Sequence, residues 1–65
     1  MDIGSNIKKA RMAAGITQKE LAERMEVTQK DISRWENNSR GITASSLAKL
    51  CKELGVSADE ILELK

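Results

Sequence analysis

With 65 residues, 40% of them apolar and 32% charged, the chain has room for one compact core and not for two. It carries no His and a single Cys, Cys51, so it cannot assemble within itself a Ser/His/Asp or Cys/His triad, a zinc site or an internal disulfide, and most enzyme classes fall away. The net charge of +1 is too small to argue for nucleic acid unaided, although residues 1–42 hold eight Lys and Arg against six Asp and Glu and residues 43–65 three against four, which puts any basic face in the first two-thirds. No cofactor, metal or small-molecule site is expected. No apolar run approaches the roughly 20 residues of a membrane span, and MDIGSNIKKARM lacks the apolar middle of a signal peptide, so the cytoplasm is the expected compartment.

Helix punctuation divides the chain. Ile7, Ala10 and Ala14 recur at helical spacing and Gly15 stands where a C-terminal cap belongs, which predicts a first helix. Thr17 with Glu20 forms a Thr-x-x-Glu capping box, predicting a second helix over Gln18–Met25 with Leu21, Ala22 and Met25 inward. Thr28 with Asp31 repeats the pattern and opens a third over Gln29–Asn37. Only Glu26 and Val27 separate Met25 from Thr28, a turn too tight for antiparallel helices, so the second and third must cross steeply. Asn37-Asn38-Ser39-Arg40-Gly41 reads as a loop. Thr43 opens a fourth helix whose stripe of Leu47, Leu50, Cys51 and Leu54 ends at Gly55, and Ser57 with Glu60 opens a short fifth with Ile61, Leu62 and Leu64. The fold class is all-α, five helices without strands, in one domain over residues 1–65.

Stepping the third helix at about 100° per residue puts Ile32 and Trp35 within roughly 60° of each other and fixes its buried direction. Lys30, Arg34, Asn37 and, less squarely, Ser33 then face outward, with Gln29 at the N-terminal flank. Glu36 falls about 40° from Ile32 and Arg11 about 40° from Ile7, so each charge lies near an apolar stripe. They form a structural ion pair across the two helices, or stay two separate solvated charges. The outward side chains suit duplex DNA: Arg and Lys donate to guanine O6 and N7, Gln takes adenine through N6 and N7, and Asn donates to phosphate. A solvated polar face has the same composition, and on these residues alone it is the preferred reading.

Residues 18–37, QKELAERMEVTQKDISRWEN, resemble the helix-turn-helix of the phage-repressor family (Cro/cI-type, Xre-like). Leu21, Ala22, Met25, Val27, Ile32 and Trp35 satisfy its pattern of apolar and small residues, Pro is absent, and GITQKELA, VTQ, ISRWEN and LGVSADEIL are similar to family sequence as well, so that the resemblance covers residues 5–64. It implies a sequence-specific double-stranded DNA-binding regulator, a repressor, with the third helix in the major groove and the second across the backbone. On that resemblance Thr28, Gln29, Lys30 and Arg34 match base-contacting positions, and Gln18, Ser33, Asn37 and Arg40 phosphate-contacting ones. The ion pair of Arg11 with Glu36 is also similar to one found in some members.

Three positions depart from the family pattern. Glu26 stands where a left-handed Gly is common, Asn38 replaces another common Gly, and Asp31 brings a carboxylate to the DNA side. Val56, Leu62 and Leu64 are the expected homodimer interface, since members often dimerise at this end, and a two-fold dimer calls for a palindromic operator; the same side chains would equally cap the domain's own core. Rival functions are an antitoxin or adaptor module using the same fold for protein contacts, and a helical scaffold with no native ligand. Cys51 is expected in the core.

Overall fold

A computed structural model describes residues 3–37 and 41–62. Among them the chain forms α1 (Ile3–Ala13), α2 (Gln18–Met25), α3 (Gln29–Asn37), α4 (Ala44–Leu54) and α5 (Ala58–Leu62), with no strand. Local hydrogen bonding places the starts. Thr17 Oγ1 accepts from the Glu20 amide at 3.0 Å while Glu20 Oε1 accepts from the Thr17 amide at 3.0 Å, the capping box read from the sequence. Thr28 with Asp31 and Ser57 with Glu60 repeat that exchange, and Thr43 caps α4 through the Ser46 amide.

Three helices stop by one device. The amides of Ile16, Val27 and Val56 reach back to the carbonyls of Arg11, Ala22 and Cys51, which places Gly15, Glu26 and Gly55 in the left-handed conformation at φ 74°, 58° and 69°. Two of the three are glycines, for which that region is free of strain; the third is Glu26, the only described residue with a side chain to adopt it.

The core draws on every helix. Ile7, Leu21, Met25, Ile32, Leu50 and Ile61 are the largest side chains wholly removed from water, joined by Ala22, Trp35, Cys51, Leu54 and Ile16. Each large aliphatic buried in this way contributes about 1.5–3 kcal/mol. α3 packs against α1 and α2, α1 also meets α5, and α4 bridges α2 and α5. Asn6 Nδ2 donates to the Ile61 carbonyl at 2.9 Å, tying α1 to α5. The Trp35 indole sinks into the core, its Nε1–H without an acceptor among the described residues.

The expected stripe of α1 needs correction. Ala14 lies past the end of the helix and is exposed, because the Gly15 stop turns the chain at Ala13, and Gly4 with Ile7 forms the buried line instead. Gly4 lies against the backbone of the last turn of α3, a contact that periodicity passes over because Gly carries no hydrophobic signal. α5 is described over Ala58–Leu62, and Leu64 lies outside the described residues.

Candidate nucleic-acid interface

The tight α2–α3 turn leaves one side of α3 to solvent. Ile32, Trp35 and Glu36 are buried, whereas Thr28, Gln29, Lys30, Arg34 and Asn37 are exposed and Ser33 and Asp31 half-buried. The outward set read from the sequence therefore shares one face of one helix. Arg34 Nη2 pairs with Asp31 Oδ1 at 3.0 Å, one turn back, and Asn37 Nδ2 donates to Ser33 Oγ at 3.4 Å. Arg40 and Asn38 lie outside the described residues.

Behind this face Glu36 gathers three elements. Arg11 Nε donates to Glu36 Oε2 at 2.6 Å and Nη2 to Oε1 at 3.2 Å, while Nη1 donates to the Ile16 carbonyl at 2.9 Å. The Glu36 side chain keeps 3% of its exposure and that of Arg11 11%, so the pair is formed and largely dry, and the reading of two separate solvated charges is excluded. Water exclusion makes the two-pronged contact strong and makes loss of either partner costly.

Gln18 differs from an outward-pointing phosphate ligand. Its Nε2 donates to Glu36 Oε1 at 2.9 Å, because the first residue of α2 stands beside the carboxylate lone pairs that Arg11 leaves open. One amide hydrogen of Gln18 is thus spent inward; the side chain is half-buried and its second hydrogen has no acceptor among the described residues. Sequence reasoning paired Arg11 with Glu36 but missed Gln18 as a third member, although a Gln one position past a cap, facing the same cleft, is the signal available.

Electrostatics around the site are set locally. Glu20, fully exposed, is held below its ordinary value of 4.5 first by the Thr17 amide and then by the Thr17 hydroxyl that share its capping box. Burial pushes the Cys51 thiol up, with the Glu60 carboxylate adding to the effect, as befits a packing residue. Val56 and Leu62 are half-buried at the α5 end, and Val56 lines a groove between α1 and α5 together with Lys9, Ala10, Ala13, Glu60 and Ile61. No helix among the described residues is long and apolar enough to cross a membrane.

Residues 7–61 match the helix-turn-helix family. The chain is 37% identical over 62 residues to the HTH-type transcriptional regulator ImmR of Bacillus subtilis (strain 168), across 95% of this chain and 49% of that protein, so it spans about half the length of that curated relative. Among solved structures it is similar to the wild-type restriction-modification controller protein C.Esp1396I, with a TM-score of 0.80 at 36% identity over 97% of this chain and 82% of the other. A point mutant of the same controller protein gives a TM-score of 0.84, again at 36% identity, over 97% and 82% of the two chains.

Proposed function

The chain belongs to the helix-turn-helix family, and from that premise we propose that it is a transcriptional regulator, a repressor, that binds double-stranded DNA sequence-specifically and acts by occupancy without catalysis. The observation that carries this reading is the exposed face of α3, where Gln29, Lys30 and Arg34 stand together outside a core that holds Ile32 and Trp35. Regulation is the role named for the relatives, one a transcriptional regulator and the other a restriction-modification controller protein. Such a protein works in the cytoplasm of a bacterium, where the chromosome lies, and the 65 residues constitute its DNA-binding domain.

In this reading α3 enters the major groove and Thr28, Gln29, Lys30 and Arg34 address base edges. Phosphates flank them, met on one side by Gln18 through its second amide hydrogen and by the Gln18 and Lys19 amides that the Thr17 cap leaves open, and on the other by Ser33, Asn37 and Arg40. Two copies joined through Val56, Leu62 and Leu64 would set their α3 helices about 34 Å apart on a palindromic operator. Exposed Met12 and the α1–α5 groove favour one alternative, an antitoxin-type or adaptor module whose protein partner covers that end.

Selection of bound duplexes from a random pool at two salt concentrations tests the reading. A consensus with two-fold symmetry, bound less tightly as salt rises, is the expected result. Enrichment of no sequence, together with a stoichiometric protein partner, would replace it with the adaptor reading.

A further inference from the structure

Gly4 is where the first turn of α1 meets the last turn of α3. A Cβ at this position would stand 2.5 Å from the Glu36 carbonyl oxygen and 2.8 Å from that of Trp35, whereas ordinary contact begins at 3.4 Å. Both oxygens belong to the backbone of a packed helix and cannot swing aside as a side-chain tip would. Gly4 is also helical: unlike Gly15, Gly41 and Gly55 it has no positive φ, so its backbone asks for no special freedom. Gly is among the poorest helix formers, and what its missing side chain supplies here is room.

The same pair of helices is fastened a second time. Arg11 lies two turns further along the same side of α1, and its guanidinium grips the Glu36 carboxylate. α1 therefore holds Glu36 at both ends, the carbonyl against Gly4 and the carboxylate on Arg11. The close approach also brings the positive end of α1 to the carbonyl end of α3, a favourable meeting of helix dipoles.

We infer that Gly4 is a positioning residue for DNA recognition, setting the tilt at which α3 presents its outward side chains; the inference rests on the DNA-binding reading above. An added methyl must part the two helices by about 1 Å to restore ordinary contact. Arg34 and Asn37 sit on the same last turn as Trp35 and Glu36, so the displacement passes directly to them. Base-edge hydrogen bonds weaken steeply with misalignment, while attraction to the phosphate backbone tolerates it. Filling the Gly4 seat therefore removes selectivity and leaves general affinity.

The test compares affinities for the selected duplex and a scrambled one in the parent, Gly4→Ala, Arg11→Lys and Leu54→Ala, at a temperature where Trp35 fluorescence shows each folded. Leu54→Ala weakens the core on α4, away from α3, and is the control for lost stability. Expected is a fall of about tenfold in the selected-to-scrambled ratio for Gly4→Ala, with scrambled binding within about twofold of the parent and the Leu54→Ala ratio unchanged. A folded Gly4→Ala with the parental ratio overturns the inference, as does an equal loss in Leu54→Ala. Should Gly4→Ala not fold, Arg11→Lys, which keeps the charge but loosens the other fastening, must show the selective loss, and an unchanged ratio there overturns the inference equally. A parent without any sequence preference defeats the proposed function and this inference together, whereas a selective parent with an equally selective Gly4→Ala defeats the inference alone.

Discussion

Asp31 holds Arg34 at 3.0 Å on the exposed side of α3 while its other oxygen accepts from the Thr28 amide at 3.3 Å. The cation offered for base reading is thus tethered in the free protein, and a negative charge travels with it toward the phosphates. Asp31→Asn keeps an acceptor for the Thr28 amide and frees Arg34. Expected is tighter binding to every duplex, with the dependence on log salt steeper by about one phosphate equivalent. Arg34→Ala is expected to cost about 1–3 kcal/mol on the selected site and to relax preference at one base pair. Titrations of selected and scrambled duplexes over a salt series check both, and equal loss on the two duplexes for Arg34→Ala would move Arg34 from base to phosphate.

The Arg11–Glu36 pair is dry enough that breaking it should dominate the stability of so small a domain. Arg11→Met leaves a carboxylate uncompensated, and Glu36→Met leaves a guanidinium so; each is expected to cost about 3 kcal/mol, a large part of the roughly 3–10 kcal/mol that a chain of this length commands. Replacing both removes the stranded charge. The double variant should be more stable than the sum of the two losses allows, by about 1–3 kcal/mol, in a urea-unfolding cycle. Strict additivity would mean the two charges do not depend on one another.

Acid should loosen the start of α2. Because the capping box lowers the Glu20 value in the folded chain, its stabilisation is present above the ordinary 4.5 and is lost as pH falls through the folded value. Glu20→Gln keeps an oxygen for the Thr17 amide and removes the titration. The parent is therefore expected to melt above Glu20→Gln near neutral pH, with the gap closing as pH drops below 4.5 and through the lowered folded value. A gap constant across that window, in melts followed by circular dichroism, would assign the cap no charge-dependent part.

What the sequence discloses about this molecule is what local chemistry decides. Thr17, Thr28 and Ser57 each sit three residues from the acid that completes their box, so those helix starts needed no knowledge of the tertiary fold. The far end of α1 is overrun by one residue because Ala14 fits the apolar spacing while the Gly15 motif has already turned the chain. The Arg11–Glu36 pair was legible because both charges fall on apolar stripes, a conflict only mutual pairing resolves. The Gln18 contact and the Gly4 seat were not, since both depend on how three helices meet in space, and neither Gln nor Gly leaves a periodic trace.

Glu26 is a local conflict that the sequence did announce. It ends α2 in the motif that Gly15 and Gly55 complete for α1 and α4, at φ 58° and with a Cβ they lack. Its side chain is exposed and has no hydrogen bond or ion pair among the described residues, so nothing local repays the strain. A non-Gly residue in this region costs about 1–2 kcal/mol, part of which Gly returns as extra freedom in the unfolded chain. Glu26→Gly is therefore expected to stabilise by about 0.5–1 kcal/mol, raising Tm by up to about 4–8 °C for a domain of this size. Glu26→Ala, which removes the charge and keeps the Cβ, should leave Tm within about 2 °C of the parent. Parallel melts separate the two causes: a rise in Glu26→Ala equal to that in Glu26→Gly would assign the effect to charge, and the backbone of the turn would carry no strain.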